Sequence, residues 1–229
     1  MGPCRHRVYP DALIFDMDGL LLGTERLYRD SFEEACHDAG WPSPDMTVYA
    51  NSIGATLSEG ATILRDGYGP SFPWEAVRGM WRKRLLEHAG NRPADVKSGA
   101  MELLSYCRER GIPCGLATST HSRLAARKLA LARLDGYFSV RVTGDAVHRG
   151  KPDPEPYSTA AERLGIRPER CWAMEDSANG ARSALAAGCR VFQVPDLIEP
   201  SEQLRGLGHE VVDTLYDVLE ALREAISSP

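Results

Sequence analysis

The sequence predicts an α/β fold in which a parallel sheet has helices on both faces and a small helical domain is inserted after the first strand. Two observations predict it. Short apolar runs alternate with segments of helical periodicity over most of the chain, and this alternation implies crossover connections and parallel strands. One long stretch in the first half breaks the alternation and has helical patterns alone.

Five short apolar runs predict the strands, and they span residues 12–15, 114–117, 140–142, 171–174 and 191–194. Helical spacing of apolar residues predicts core helices over residues 100–110, 122–131, 157–164, 178–187 and 215–225. Gly111, Gly165 and Gly188 follow three of these helices and are expected to end them. A polar connection is expected over residues 202–210.

Residues 25–93 contain no convincing buried strand. Their helical patterns span residues 25–39, about 57–65 and 74–87, with glycine and proline between them. Such a segment, placed between the first strand and the rest of the sheet, is expected to fold as a small helical unit. We therefore predict a core domain of residues 1–23 and 97–229 and an inserted helical domain of residues 24–96.

Composition narrows the function classes. With 229 residues, 43% of them hydrophobic, the chain can bury a substantial core. The net charge is -5, both signs are spread along the sequence, and no basic stripe is present. We therefore expect neither nucleic acid nor a membrane surface as a partner, and instead a monomer that acts on a small molecule.

The cysteines and the hydropathy pattern suggest a compartment. Six cysteines occur without a CxxC pair, and most lie among apolar residues of predicted strands and helices, so we expect buried, reduced thiols. No apolar stretch approaches the roughly 20 residues that span a bilayer. The polar residues 1–7 do not resemble a signal peptide. These features predict a cytoplasmic protein.

Polar side chains follow the predicted strands, where ligands bind in open parallel sheets. They are Asp16 and Asp18 after the first run, Thr118 and Ser119 after the second, and Glu175 and Asp176 after the fourth. Lys151 stands after a glycine and just ahead of the next helix, and Asp145 and Asp196 follow the third and fifth runs. Even without these last two, four carboxylates, two hydroxyls and an ammonium are expected at one rim.

Asp16 and Asp18 are separated by one residue, and a strand sends alternate side chains to the same face. Two carboxylates that converge in this way repel each other unless a cation, a proton or a positive side chain lies between them. A set of oxygen ligands without His or Cys favours Mg²⁺ when phosphate shares the site. We expect direct contacts from Asp16, Asp176 and the backbone carbonyl of Asp18, with Glu175 bound directly or through water.

Phosphoryl transfer would give each of these groups a role. Ionised Asp16 would attack phosphorus, and Asp18 would protonate the leaving oxygen and later deprotonate water. Thr118, the amide of Ser119 and Lys151 would neutralise the phosphoryl oxygens. Taken singly, the same residues also fit helix caps, a turn lysine or a calcium loop, although three leucines follow the first acids where a calcium loop needs oxygen ligands. Their joint occurrence favours phosphoryl transfer.

Four short motifs stand in chain order: Phe15-Asp16-Met17-Asp18-Gly19, Leu116-Ala117-Thr118-Ser119, Gly150-Lys151-Pro152-Asp153-Pro154 and Met174-Glu175-Asp176-Ser177-Ala178-Asn179-Gly180. They resemble the motifs of the haloacid dehalogenase superfamily, in its phosphatase branch with a helical cap after the first strand. The resemblance covers essentially the whole chain. It is closest to the subgroup that contains beta-phosphoglucomutase, sugar-phosphate phosphatases and pseudouridine-5'-phosphatase.

The resemblance implies a Rossmann-like core, a mobile helical cap and an aspartyl-phosphate intermediate on Asp16. It implies acid–base work by Asp18 and phosphate contacts from Thr118 and Lys151. The Mg²⁺ ligands that it implies are Asp16, Asp18, Glu175 and Asp176. The substrate-binding residues that it implies are Gly19, Thr118, Ser119, Lys151, Glu25 and Gly54.

Two positions depart from the family pattern. Gly23 stands where relatives commonly carry an acid, and it is expected to free the backbone near a cap hinge. The cap loop of residues 51–57 keeps the family's glycine but lacks the basic residues with which mutases hold a second phosphate. We therefore predict Mg²⁺-dependent hydrolysis of small sugar or nucleoside phosphate monoesters.

Two alternatives stay open. One is a phosphomutase of the beta-phosphoglucomutase kind, and another is a non-catalytic binding protein that has kept the fold. A dehalogenase would need neither Mg²⁺ nor Asp18, so the presence of Asp18 argues against it.

Overall fold

The computed structural model describes residues 9–53, 55, 57–89, 94–196 and 200–227. Its centre is a sheet of six parallel strands in the order β3-β2-β1-β4-β5-β6. The strands are β1 (Ala12–Phe15), β2 (Cys114–Ala117), β3 (Val140–Val142), β4 (Cys171–Glu175), β5 (Arg190–Gln193) and β6 (Glu210–Val211). The predicted parallel α/β fold is confirmed, and β6 adds a two-residue edge strand that begins at the last residue of the expected polar connection.

Strand β1 lies between β2 and β4, and all four of its residues are buried. Its side chains alternate between two apolar clusters, with Leu13 and Phe15 in one and Ala12 and Ile14 in the other. A strand that is apolar on both faces is typical of a parallel sheet covered by helices on both sides. The residues that follow β1 therefore emerge at the middle of the sheet.

Ten helices lie along the described part of the chain, apart from short 3₁₀ turns. Four are in the insertion: α1 (Glu25–Asp38), α2 (Met46–Ala50), α3 (Leu57–Tyr68) and α4 (Trp74–Ala89). Six belong to the sheet region: α5 (Ala100–Glu109), α6 (Ser122–Leu131), α7 (Glu155–Leu164), α8 (Ala178–Ala187), α9 (Glu202–Arg205) and α10 (Leu215–Ser227). Helices α2 and α9 were not predicted, because with five and four residues they are too short to show helical periodicity.

The four inserted helices, called the helical insertion below, pack around their own aromatic cluster. Phe32 of α1 lies 5.1 Å from the Trp81 ring of α4 and 5.0 Å from the Tyr49 ring of α2, measured between ring centroids. Trp74 is buried in the same cluster, and Trp41 packs against it. The tryptophans therefore serve the packing of this segment. Its division from the core as a separate domain stays a prediction.

The two connections to the helical insertion lie side by side. The Gly23 amide donates to the Asp95 carbonyl at 2.9 Å, and the Lys97 amide donates to the Leu21 carbonyl at 2.9 Å. Gly23 is not in a left-handed conformation, and a Cβ atom there would meet the Asp95 oxygen at an ordinary 3.6 Å. The backbone conformation at this position is therefore open to residues other than glycine, and the expected freedom of the chain at Gly23 stays a prediction.

Asp145 and Asp196 have structural partners instead of joining the acids at the sheet centre. Asp145 accepts hydrogen bonds from the Ser122 amide at 2.8 Å and the Thr143 hydroxyl at 2.7 Å, and so holds the first turn of α6. Asp196 pairs with Lys97 at 2.7 Å. Among the described residues five cysteines are free and buried, and no helix is long and apolar enough to cross a membrane.

The contacts of Asp145 predict a pH effect on stability. Hydrogen bonds from the Ser122 and Thr143 side chains and the Ser122 amide lower the pKa of Asp145. The stabilisation is thus present above the unfolded pKa of roughly 4 and is lost as the pH falls below it. We expect the free energy of unfolding, measured with urea from about pH 7 to about pH 3, to fall less in Asp145→Asn than in the wild type. Equal losses would show that these hydrogen bonds do not favour the ionised form.

Candidate active site

Asp16 is the first residue after β1, and the chain turns sharply behind it. The Asp16 amide donates to the Met174 carbonyl at 3.0 Å, which extends the pairing of β1 with β4 by one residue. The turn that follows has Gly19 at φ 86°, a left-handed conformation that favours glycine. The Gly19 amide donates to the Leu22 carbonyl at 2.8 Å. The glycine of the first motif therefore shapes the loop that carries both acids.

Lys151 joins the ends of β1 and β4. Its ammonium donates to Asp16 Oδ1 and to Glu175 Oε1, each at 2.5 Å, and only 1% of its side chain is exposed. Tyr157 of α7 donates its hydroxyl to the same Glu175 oxygen at 2.8 Å, and its ring centroid lies 5.2 Å from the Lys151 ammonium. Lys151 is thus fixed between two carboxylates and an aromatic face.

The second oxygen of Glu175 holds the loop after β4. It accepts from the Ser177 hydroxyl at 3.0 Å and from the amides of Asp176 and Ser177 at 3.2 Å. A Cβ atom at Gly180 would lie 1.8 Å from the carboxylate carbon of Glu175, so the side chain packs directly against the backbone of α8. Glu175 therefore connects Lys151 to the fourth motif.

Burial and neighbouring charges shift the pKa values of Asp16 and Lys151 in opposite directions. Burial raises the pKa of Asp16 to about 7, although Lys151 lowers it. Burial lowers the pKa of Lys151, but the charges of Asp16 and Glu175 outweigh it and hold that pKa above its usual range. Lys151 is therefore a permanent cation, whereas Asp16 needs further positive charge to stay fully ionised near neutral pH.

The donor set fits a divalent cation. Asp16, Glu175 and Asp176 each place a carboxylate oxygen within 4.8 Å of the others, and all three residues are buried. Lys151 brings one positive charge against these three carboxylates, which leaves an imbalance of two negative charges. Carboxylate oxygens without His or Cys are the ligands of a hard ion such as Mg²⁺.

Asp18 has its own set of partners. Its Oδ1 accepts from the Thr24 hydroxyl at 2.6 Å and from the Lys128 ammonium at 2.5 Å, and its Oδ2 accepts from the Thr120 hydroxyl at 2.6 Å. Burial raises the pKa of Asp18, but the charge and hydrogen bond of Lys128 and the two hydroxyls outweigh it and lower that pKa. Its carboxylate therefore faces Lys128, and Asp16 faces Lys151.

The loop after β2 completes the rim. Thr118 is buried, and its hydroxyl oxygen accepts from the Thr120 amide at 3.1 Å. A Cβ atom at Gly144 would lie 2.2 Å from the Ser119 carbonyl oxygen, so the loop after β3 presses against this one. Thr118 and Ser119 are thus held by neighbouring backbone on both sides.

The predicted site residues fall into groups. Asp16, Lys151, Glu175 and Asp176 come together. Thr118 and Ser119 follow the carboxyl end of β2, the strand that pairs with β1, and Asp18 has separate partners. Gly54 and the side chain of Glu25 lie outside the described residues.

Sequence reasoning missed Lys128, Thr120 and Tyr157. For Lys128 a signal exists: it shares the buried face of α6 with Ala125 and Leu129, at spacings of three and one residues. A lysine on such a face is rarely buried without a partner.

Several known proteins are similar to this chain over most of its length. The phosphorylated carbohydrates phosphatase of Thermotoga maritima is 31% identical over 220 residues, which cover 94% of this chain and 100% of that protein. Hexitol phosphatase A of Escherichia coli K12 is 41% identical over 183 residues, 80% of this chain and 82% of that protein. A solved structure of a putative beta-phosphoglucomutase from Thermotoga maritima has a TM-score of 0.68 at 31% identity and covers 93% of this chain and 98% of that one.

The family model of the haloacid dehalogenase-like hydrolases matches residues 10–188. That range includes the four predicted motifs, the strands β1 to β4 and the helical insertion. The chain therefore belongs to the haloacid dehalogenase-like hydrolase family.

Proposed function

We propose that the protein is a Mg²⁺-dependent phosphatase that hydrolyses small phosphate monoesters through an aspartyl-phosphate on Asp16. One observation carries the proposal: Asp16 lies buried with Lys151 in a cluster of three carboxylates. A second acid, Asp18, lies two residues further on and is held by separate donors. A nucleophile and an acid–base group with different surroundings are what a two-step phosphoryl transfer requires.

In the first step an Asp16 oxygen attacks phosphorus, and the ester P–O bond breaks as the new P–O bond forms. Lys151 and Thr118 neutralise charge on the phosphoryl oxygens, and Lys151 also orients the attacking carboxylate. In its protonated form Asp18 donates its proton to the departing alcohol oxygen. In the second step Asp18 takes a proton from water, which attacks phosphorus and releases Asp16 and inorganic phosphate.

The cation site of this proposal uses Asp16, Asp176 and the backbone carbonyl of Asp18. Mg²⁺ bound there would offset negative charge on the carboxylates and on the phosphoryl group. Glu175 already accepts hydrogen bonds at both oxygens, so its part is to hold Lys151 and the loop after β4, and to add charge to the cation site directly or through water.

The proposed substrates are sugar or nucleoside monophosphates. The relatives named for phosphorylated carbohydrates and hexitols support the sugar class. The helical insertion would act as a cap that excludes water from the reacting groups and selects the alcohol. The free, buried cysteines support a reducing compartment, so the proposal places the protein in the cytoplasm. The proposal also takes the protein to be a monomer.

A substrate panel tests the proposal. Purified protein is incubated with sugar phosphates and nucleotides, with Mg²⁺ and with EDTA, and phosphate release is measured. We expect release only with the metal, and a loss of about a thousandfold or more in Asp16→Asn because the nucleophile is gone. The matched control is Asp11→Asn. Asp11 lies directly before the amino end of β1, whereas Asp16 follows its carboxyl end, and Asp11 pairs with Arg170. Undiminished turnover in Asp16→Asn, or turnover in EDTA, would contradict the proposal.

A phosphomutase is the second candidate, favoured by the similarity to the solved structure described as a putative beta-phosphoglucomutase. Residues 51–57 lack the basic side chains that would hold a second phosphate, so we expect hydrolysis instead. Incubation with glucose 1-phosphate and Mg²⁺ separates the two reactions. A phosphatase releases inorganic phosphate, whereas accumulation of glucose 6-phosphate without phosphate release would establish the mutase.

Gly180→Ala tests the part assigned to Glu175. The new methyl group would overlap the Glu175 carboxylate and displace it from Lys151. We expect the free energy of unfolding to fall by about 1–3 kcal/mol, and kcat to fall by about tenfold or more because Lys151 loses a partner. Gly136→Ala is the control, since a Cβ atom there has no neighbour within 4 Å among the described residues. A kcat equal to that of the control would show that the Glu175 contact does not matter for turnover.

A further inference from the structure

Lys128 is a buried cation that the chemistry above leaves without a role. Its side chain is 2% exposed, and it projects from the last turn of α6, a helix held at its first turn by Asp145. Burial of an ammonium is unfavourable unless its partners compensate for the water it loses. The partners of Lys128 therefore determine what this buried charge can do.

Those partners come from the sheet region and from the helical insertion. Asp18 lies in the loop after β1, and Tyr28 belongs to α1 of the helical insertion. The ammonium of Lys128 donates to the Tyr28 hydroxyl and lies 4.7 Å from the centroid of that ring. Trp81 of α4 donates its indole N–H to the Tyr28 carbonyl at 3.1 Å. Lys128 thus connects the acid–base group to two inserted helices.

The donors around Asp18 define one orientation of its carboxylate. Thr24 and Lys128 donate to one oxygen and Thr120 to the other, from three different parts of the chain. The two threonine hydroxyls can rotate, whereas the lysine supplies a charge from a fixed helix. Without Lys128, Asp18 would keep two neutral donors and lose the strongest constraint on its direction.

We propose that Lys128 is a positioning residue that fixes the direction of the Asp18 carboxylate for its acid–base work, and that Tyr28 makes this direction depend on the place of the helical insertion. When the inserted helices lie against the core, Tyr28 completes the surroundings of Lys128 and water is excluded. When they withdraw, Lys128 loses the phenol oxygen and the ring, and water takes their place. The inference rests on the proposed function, because it takes Asp18 as the acid–base group.

The test uses two substrates that differ in their need for an acid. A sugar phosphate releases an alkoxide that must be protonated, whereas p-nitrophenyl phosphate releases a phenolate that leaves without a proton. The ratio kcat/KM covers the steps up to the release of the alcohol. We expect Lys128→Met to lower kcat/KM about tenfold to a hundredfold for the sugar phosphate and less than about threefold for the aryl phosphate.

A second background separates positioning from a general structural role. If Lys128 acts through Asp18, then Lys128→Met added to Asp18→Asn should change kcat/KM by less than about twofold, because no acid is left to aim. A structural role predicts the full loss in both backgrounds and equal losses for both substrates. Either of those outcomes would overturn the proposal.

Tyr28→Phe tests the link to the helical insertion and keeps the lysine and the ring. We expect kcat/KM to fall more for the sugar phosphate than for the aryl phosphate, by a smaller factor than in Lys128→Met. An unchanged ratio of the two substrates would overturn the part assigned to Tyr28. Should Lys128→Met fail to fold, as judged by circular dichroism, the Tyr28→Phe ratio decides the proposal.

Arg170→Met is the matched control, since it breaks an ion pair with Asp11 at the amino ends of β1 and β4, whereas the site lies at their carboxyl ends. We expect it to leave the ratio of the two substrates unchanged. The assay of the wild-type protein distinguishes a failure of this inference from a failure of the proposed function on which it rests. No Mg²⁺-dependent hydrolysis by the wild type would overturn the phosphatase and the inference together, whereas an active wild type with an unaltered Lys128→Met overturns the inference alone.

Discussion

Negative charge buried at the carboxyl ends of β1 and β4 is the constraint on which the rest of the site depends. Each carboxylate that leaves water loses hydration free energy, and neighbouring carboxylates also repel one another. Two buried lysines compensate for this charge, Lys151 beside Asp16 and Lys128 beside Asp18. Each acid therefore has a different electrostatic environment, although only one residue separates them in the sequence.

The sheet topology makes this arrangement possible. In the observed strand order β1 lies beside β4, and Phe15 is level with Met174, so Asp16 leaves its strand next to Glu175. This is the point at which the chain order reverses across the sheet, and ligands of such sheets bind there. The two lysines come from elements that pack on opposite faces of the sheet. Lys128 lies on α6, and Lys151 lies in the loop ahead of α7.

Much of the fold and part of the site could be predicted from the sequence. Strands were recognisable as short continuous apolar runs, and helices of ten residues or more were recognisable from the spacing of their apolar residues. Strand β6 and helix α2 were too short to show either pattern. Asp16 and Lys151 were found because strand ends and glycine turns mark them. Lys128 could not be found in this way, because it lies within a helix and only tertiary packing brings it to Asp18.

The direction of Asp18 shows where local rules stop. Alternation of side chains is the basis for predicting that it converges with Asp16, but β1 ends at Phe15 and the left-handed Gly19 starts a turn, so alternation alone does not fix its direction. Beyond that point the two-residue period no longer applies. The contacts made by Thr24 and Thr120 decide where the carboxylate lies.

The central claim is that Asp16, held by Lys151 within the acid cluster, receives the phosphoryl group. Its most direct measurement is a rapid acid quench during turnover, followed by mass spectrometry of the peptides. The account predicts phosphate on the peptide that contains Asp16, present with Mg²⁺ and absent with EDTA. Phosphate on a different residue, or full turnover with no phosphorylated peptide at any time, would contradict it.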